Sequence, residues 1–234
     1  MSKFIFSSPR KYVQGAGVLD ELGTYIAELG QHAFLVADDI VWQLVGERTQ
    51  KTLQAAGVEF IRQPFKGEAS SNEINRLTHL AKSQGSNVVV GLGGGKTLDT
   101  VKAVADELKQ PVAIVPTVAS TDAPCSALSV IYSDSGVFES YRFYSKNPDL
   151  VLVDTAVCAS APARLFASGI ADGLATWVEA QAVLRSHAKS MVNGDPTIAG
   201  TAIARACEET LLTWGFSAYT AVSEKRVTPA VEAV

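Results

Sequence analysis

The sequence has few of the residues that build structural metal sites and disulfide frameworks. Its 234 residues include three cysteines and three histidines. The cysteines (Cys125, Cys158 and Cys207) are scattered along the chain, with no CxxC pair. This spacing excludes a disulfide framework and a zinc finger. We therefore expect each cysteine to be a small packed side chain.

The sequence also lacks an excess of basic residues and a long apolar run. It carries 20 Lys and Arg against 24 Asp and Glu, a net charge of −4, so nucleic acid is not an expected partner. No apolar run reaches the length of about 18 residues that a membrane-spanning helix needs, and the first ten residues do not resemble a signal peptide. We expect a cytoplasmic protein that binds neither nucleic acid nor membrane.

A glycine-rich turn is the most informative feature that is present. An apolar run ends at Val90, four glycines follow within residues 91–95, and apolar residues recur at helical spacing over residues 97–108. This pattern predicts a strand, a turn and a helix. The first N–H groups of a helix have no partner within it and carry the positive end of its dipole. Glycines let a phosphate approach those groups, and Lys96 would add a cation.

The glycine turn fits neither of the two common phosphate motifs. A P-loop requires glycine at the position of Val90, and a dinucleotide fingerprint requires glycine at the position of Lys96. A tight connection without a ligand remains an alternative, although a plain turn needs only one or two glycines. The turn therefore predicts a phosphate site, most simply a pyrophosphate cradle, without specifying the nucleotide.

Strand and helix patterns alternate through the first part of the chain. Strands are predicted over residues 9–14, 33–37, 58–63, 87–90, 111–115, 128–132, 140–144 and 150–154, and helices over residues 18–29, 40–56, 70–84 and 97–108. This alternation predicts an α/β fold, with a Rossmann-like, mainly parallel sheet and helices on both faces. Two long helical patterns follow, over residues 163–187 and 197–220, without a convincing strand. We predict an α/β domain over residues 1–160 and the start of an all-helical second domain over residues 161–234.

Polar residues follow two of the predicted strands. Asp38 and Asp39 come after residues 33–37, and a loop rich in hydroxyl groups, which contains Asp122, comes after residues 111–115. Ligands of open α/β sheets bind at the carboxyl ends of strands, and an acid there can accept hydrogen bonds from ribose hydroxyls. Either aspartate could instead cap the next helix, which is the interpretation that we favour for Asp39. Ser70 or Ser71 is expected to cap the helix at residues 70–84.

Three segments, in this order, resemble the glycerol dehydrogenases, which are NAD-dependent, zinc-using members of the iron-containing alcohol dehydrogenase superfamily. They are residues 90–102 (VGLGGGKTLDTVK), 116–126 (PTVASTDAPCS) and 169–179 (GIADGLATWVE). The similarity extends over the whole chain. It implies an oxidoreductase that oxidises glycerol, or a similar small polyol, to the ketone (dihydroxyacetone from glycerol) with hydride transfer to NAD⁺ at a zinc site.

The resemblance implies roles for individual residues. The implied NAD contacts are Asp38 at the adenosine ribose, Gly94, Gly95 and Lys96 at the pyrophosphate, Thr117 and Ser120 near the adenine and phosphate side, and Ser126, Leu128 and Tyr132 at the nicotinamide end. Asp122 would hydrogen-bond a glycerol hydroxyl, and Asp172 would be a zinc ligand. Without the resemblance, Asp122 could be a loop cap, and Asp172 could be an acid favoured at a helix N-terminus.

The resemblance is incomplete at the metal. A catalytic zinc site needs three protein ligands, and the family supplies one Asp and two His. His32, His79 and His187 do not match those histidines, so we expect both to lie beyond Val234 and the chain to represent about the first two-thirds of such an enzyme. We expect the partial helical domain to expose apolar surface and the protein to be a homo-oligomer.

Other functions remain open at this point. A phosphate-eliminating lyase similar to dehydroquinate synthase would share the two-domain plan, the NAD site and a metal, but the loop at residues 117–126 argues against it. A catalytically inactive NAD-binding fragment is favoured by the missing ligands, whereas a nucleotide-hydrolysing P-loop protein is disfavoured by Val90. A single carboxylate does not distinguish zinc from iron or another divalent ion.

Overall fold

The computed structural model describes residues 2–234, and these residues form two compact units. The first, here called the sheet unit, comprises residues 8–118 and 123–158. The second, here called the helical unit, comprises residues 2–7, 119–122 and 159–234. The helical unit thus includes two short segments from the first part of the chain. The functional division near residue 160 stays a prediction.

The sheet unit is built on six parallel strands. The strands of the chain are β1 (Tyr12–Gly15), β2 (His32–Ala37), β3 (Glu59–Pro64), β4 (Val88–Gly93), β5 (Val112–Pro116), β6 (Leu128–Tyr132), β7 (Phe138–Phe143) and β8 (Leu150–Asp154). The six-stranded sheet has the order β1-β8-β5-β4-β2-β3, and β6 and β7 form a separate antiparallel pair. The chain leaves β2 toward β3 on one side and returns to β4 on the other. The carboxyl ends of β2 and β4 therefore flank a topological switch point, which is where open α/β sheets bind ligands.

Helices cover both faces of this sheet. They are α1 (Leu22–Ala27), α2 (Asp39–Ala55), α3 (Ser71–Ser83) and α4 (Gly95–Leu108), with α5 (Thr155–Ser160) after the last strand. Successive residues of β2 enter different cores: Leu35 packs in the core that includes α1 and α2, and Phe34 in the core that includes α3 and α4. This alternation is what a sheet buried on both faces requires. The α/β fold with a mainly parallel sheet is confirmed.

Two helix starts differ from their predictions. The helix predicted from Val18 opens with a 3₁₀ turn and becomes α-helical at Leu22. The backbone N–H groups of Gly17 and Leu19 donate to the carboxylate of Asp154, at 3.0 and 3.2 Å. This start is therefore capped by a residue that is distant in sequence. The helix predicted from residue 97 begins at Gly95. The prediction missed this start because it relied on the spacing of apolar side chains, and glycine has none.

The capping interpretation of Asp39 is wrong. The N-cap of α2 is Asp38, whose Oδ1 accepts from the N–H of Val41 at 2.8 Å. Asp38 directly follows β2 and keeps an extended backbone, as an N-cap residue does, whereas Asp39 is already helical and forms an ion pair with Arg62. At α3, the structure selects Ser70 over Ser71 as the cap.

The helical unit contains α6 (Ala163–Ser186), α7 (Ile198–Ser223) and α8 (Pro229–Ala233). Its core includes Phe166, Ala218 and Val222. Many apolar side chains of α7 nevertheless face outward: Phe216 is 84% exposed and Leu212 is 71% exposed. The apolar exposure predicted for this part of the chain is confirmed. Across the described residues, no helix combines the length and the apolarity that crossing a membrane would require.

Candidate functional site

The glycine turn connects β4 to α4 at the switch point of the sheet. Gly93 has φ +155°, and a Cβ at this position would lie 2.9 Å from Thr97 Oγ1, so the turn requires glycine here. Gly94 is the N-cap of α4 and has an extended backbone. A Cβ on Gly94 would have Val118 Cγ2, at 3.5 Å, as its nearest neighbour, so packing within the chain does not require this glycine.

The start of α4 has the properties that an anion site needs. Within residues 2–234, no side chain caps this helix, so its first N–H groups remain available to a ligand. Gly94 and Gly95 are half-buried and Lys96 is exposed. The N–H of the buried Thr117 donates to Gly93 O at 3.0 Å, which holds the turn against the end of β5. The structure thus brings together four residues that the sequence assigned to the phosphates.

The predicted phosphate-binding cation has a partner that the sequence did not reveal. Lys96 Nζ lies 2.5 Å from Oε1 of Glu68, a residue in the loop between β3 and α3. The Lys96 side chain is 60% exposed and that of Glu68 only 18%. A bound phosphate would have to share Lys96 with this carboxylate. No local pattern links two residues that lie 28 positions apart.

Asp38 lies on the other side of the switch point. Strand β2 pairs with β4 with Val36 opposite Gly91, so the chain leaves both strands at neighbouring positions. One carboxylate oxygen of Asp38 caps α2 at 2.8 Å. A carboxylate has a second oxygen that can accept from a ribose hydroxyl. Capping and ribose binding are therefore compatible at Asp38.

The residues assigned to the nicotinamide end also lie in the sheet unit. Ser126 lies in a loop, and Leu128 begins the strand that follows it. A buried lysine, Lys102, donates hydrogen bonds to Ser126 Oγ and Leu128 O. The N–H of Tyr132 donates to Ala69 O at 3.0 Å, and the Tyr132 ring lies edge-on to Phe138 with 6.4 Å between centroids. Sequence reasoning placed Lys102 only as part of a helix and missed its contacts.

In the helical unit, the two predicted acids are in direct contact. The backbone N–H of Asp122 donates to Oδ2 of Asp172 at 2.8 Å, and both residues are exposed. This contact depends on Gly169, one turn earlier on α6, where an added Cβ would lie 2.3 Å from Ala119 O. Ser120, a predicted NAD contact, belongs to the same short segment of the helical unit.

Asp172 is not an acid at a helix N-terminus. It lies in the middle of α6, and the first turn of this helix contains no acidic residue. The helix dipole acts within the first and last turns, so the structure excludes that alternative explanation of Asp172. Its observed role in the chain is to accept the hydrogen bond from Asp122.

The described residues do not form a complete metal site. Among residues 2–234, no group of three or more His, Cys, Asp and Glu side chains could hold a metal ion. A thiol of the helical unit, Cys207, has its Sγ 3.5 Å from Gly173 O. Burial raises the pKa of this thiol, and the negative charge of Asp122 raises it further, so Cys207 is protonated at neutral pH. Asp172 would therefore contribute one ligand at most.

Comparison with known proteins gives consistent relatives. The chain is 49% identical over 227 residues to a glycerol dehydrogenase of Pseudomonas putida, covering 97% of this chain and 62% of that protein. It is 48% identical over 230 residues to the glycolaldehyde reductase of Halobacterium salinarum, covering 98% of this chain and 63% of that protein. The crystal structure of the glycerol dehydrogenase of Schizosaccharomyces pombe matches with a TM-score of 0.94 at 39% identity, covering 100% of this chain and 60% of that one. The chain thus spans a little under two-thirds of the length of these relatives.

The family assignment rests mainly on residues of the sheet unit. Residues 9–155 match the sequence profile described as iron-containing alcohol dehydrogenase. That range contains Asp38, the glycine turn and the loop with Ser126. It covers more than half of the chain, and the relatives found by sequence and by structure agree with it. The resemblance seen in the sequence is confirmed: the chain belongs to the iron-containing alcohol dehydrogenase family.

Proposed function

We propose that the chain binds NAD at the switch point of its sheet and serves a dehydrogenase that oxidises glycerol or a similar small polyol. One observation carries the proposal: α4 begins, without a side-chain cap among residues 2–234, directly behind a glycine turn in which Gly94 leaves space for a ligand. The membership of the iron-containing alcohol dehydrogenase family and the glycerol dehydrogenase relatives support it.

The residues of the sheet unit would bind and orient the dinucleotide. Asp38 would accept from the adenosine ribose, and the N–H groups after Gly94, together with Lys96, would bind the pyrophosphate. Thr117 fixes the turn. Ser126, Leu128 and Tyr132 would line the nicotinamide end. When bound, NAD⁺ supplies the hydride acceptor for alcohol oxidation.

In the helical unit, Asp122 would hold a hydroxyl of the polyol, since a carboxylate accepts such hydrogen bonds. Asp172 would provide one carboxylate ligand for zinc, the metal that we propose. The described residues do not make a three-ligand site, so Asp172 would hold the metal only together with further ligands. The exposed apolar side chains of α7 support a further proposal, that the protein is a homo-oligomer. We also propose that it is cytoplasmic.

A second candidate substrate is a small hydroxyaldehyde. The glycolaldehyde reductase of Halobacterium salinarum is as similar to this chain as the glycerol dehydrogenases are. A carboxylate at Asp122 can bind the hydroxyl of such an aldehyde as well as that of a polyol. NADH oxidation with glycolaldehyde, measured beside NADH formation with glycerol and added zinc, ranks the two substrates.

The proposed nucleotide site is tested by titrating NADH into the native chain and the Gly94→Ala variant. The added methyl group makes an ordinary 3.5 Å contact with Val118 Cγ2, so we expect the melting temperature to stay unchanged. The same methyl group would stand between the helix N–H groups and the pyrophosphate, so we expect the NADH affinity to fall at least about tenfold. Equal NADH affinities, or a native chain that does not bind NADH, would contradict the proposal.

A further inference from the structure

A buried lysine without a role in the proposed site lies under its nicotinamide end. Lys102 is in the middle of α4, and its side chain is 2% exposed. Lysine is almost never fully buried unless its charge is compensated. Here Asp99, one turn earlier, lies 2.9 Å from Nζ, with its own side chain 9% exposed. Burial of such a pair is costly, so the remaining contacts of Lys102 are informative.

All three N–H donors of Lys102 are directed at a single loop. Nζ lies 2.9 Å from Ala123 O, 3.1 Å from Ser126 Oγ and 2.5 Å from Leu128 O. An ammonium group has three donors and no more. Asp99 Oδ1 accordingly receives no aligned N–H and interacts with Lys102 by charge alone. The lysine thus satisfies three oxygens of the segment 123–128, here called the anchored loop.

Asp99 extends the same network to the strand that follows the anchored loop. Its Oδ2 accepts from the N–H of Val130 at 2.9 Å, and its backbone oxygen accepts from Ser129 Oγ at 2.8 Å. Tyr144 OH in turn donates to Ser129 Oγ at 2.8 Å. Asp99 and Lys102, which lie one turn apart on the same face of α4, therefore both bind residues 123–130. The glycine turn and the anchored loop are held by the same helix.

We propose that Lys102, supported by Asp99, is a positioning residue that fixes the anchored loop and so sets the affinity for the nicotinamide part of the dinucleotide. The inference rests on the proposed function, in which Ser126 and Leu128 face the nicotinamide. Lys102 is buried and does not itself contact the ligand. Its removal would take one donor from each of three loop oxygens, and the loop would be held less firmly to α4.

The test compares two ligands that differ only at the end in question. NADH contains the nicotinamide, whereas ADP-ribose has the same adenosine, pyrophosphate and ribose without it. Calorimetric titration of the native chain, the Lys102→Met variant and the Lys51→Met control with each ligand gives the ratio of the two affinities. Lys51 is exposed on α2, so its variant removes one positive charge from a helix without touching the loop.

We expect Lys102→Met to lower the NADH affinity at least about tenfold and the ADP-ribose affinity less than about twofold. The blue shift of NADH fluorescence on binding should shrink in the same variant. Lys51→Met should leave both affinities and the fluorescence unchanged. Parallel losses for the two ligands, or an unchanged affinity ratio, would overturn the positioning role.

A second variant separates positioning from stability. Lys102→Met leaves the Asp99 carboxylate buried without a counter-charge, which is destabilising. Asp99→Asn combined with Lys102→Met removes that charge, so the melting temperature should recover while the affinity ratio stays low. Recovery of the ratio together with the melting temperature would overturn the inference. If the native chain binds neither ligand, the proposed function fails. If the native chain binds both ligands and the variants show the same affinity ratio as the native chain, the positioning role alone fails.

Discussion

The backbone N–H of Asp122 donates a 2.8 Å hydrogen bond to Oδ2 of Asp172. The two acids come from segments 50 positions apart, and the sequence assigned them to the polyol and to the metal respectively. Their contact uses the backbone N–H of Asp122 and the carboxylate of Asp172. In a dehydrogenase this arrangement would keep the proposed polyol-binding acid next to the proposed metal ligand.

Gly169 is the residue on which this contact depends. A Cβ there would lie 2.3 Å from Ala119 O, a backbone atom that no rotamer change can move. We expect the steric overlap in Gly169→Ala to cost about 1–3 kcal/mol of stability. The higher helix propensity of alanine offsets about 1 kcal/mol of this loss. Gly215→Ala, on α7, is the matched control, because its Cβ would make an ordinary 3.6 Å contact with Ile170 Cγ2.

The two alanine variants are compared by denaturant unfolding. Gly215→Ala should be neutral or stabilising by up to about 1 kcal/mol, since alanine favours the helix. A Gly169→Ala variant as stable as Gly215→Ala would show that the segment 119–122 does not pack on α6 as described.

Glu68 should weaken nucleotide binding. Its Oε1 forms an ion pair with Lys96 Nζ at 2.5 Å, and its negative charge would repel a pyrophosphate. We expect Glu68→Gln to raise the NADH affinity about fivefold at low salt, with a smaller gain at high salt as screening increases. Glu47→Gln, at an exposed position of α2, is the control for the change in net charge. Weaker binding by Glu68→Gln would mean instead that Glu68 orients Lys96 productively.

Asp38 combines two roles that substitutions can separate. Asparagine is a good N-cap residue, so Asp38→Asn should keep the 2.8 Å hydrogen bond to the N–H of Val41 and the native stability. Asp38→Ala should lose the cap and about 1 kcal/mol of stability. Both variants should bind NADH more weakly, because neither offers a carboxylate to the ribose. Native NADH affinity in Asp38→Asn would exclude the ribose role.

Local sequence patterns predicted the framework of this fold well. Apolar runs and helical periodicity located the strands and helices to within a few residues, since burial of one face fixes these patterns. The cap of α2 and the start of α4 were missed for local reasons, and the other errors fall where a partner is distant in sequence. Asp154 caps the start of the helix at Val18–Glu21, and Glu68 pairs with Lys96. The sequence predicted a helical position for Lys102 but not its contacts, because its three acceptors lie more than 20 positions away.

Cys158 should be unreactive in the native protein. Burial raises the pKa of its thiol to about 12, and the negative charge of Asp154 adds to the shift. Only the thiolate reacts with disulfide reagents, so at pH 8 we expect Cys158 to react only after unfolding, with Cys125 and Cys207 reacting first. Counting thiols with a chromogenic disulfide, with and without guanidinium, measures this difference, and a Cys158→Ala variant identifies the late thiol.

The same shift predicts how stability depends on pH at Cys158. The folded pKa lies above the ordinary value of 9.0, so between about pH 9 and pH 12 the native state holds the thiol proton more tightly than the unfolded chain does. Unfolding then releases a proton, and the free energy of unfolding falls as the pH rises through this range. The Cys158→Ala variant lacks this contribution, so its stability should fall less steeply than that of the native chain above pH 9. Parallel pH profiles for the two proteins, or rapid labelling of Cys158 in the folded state, would contradict the buried position of this thiol.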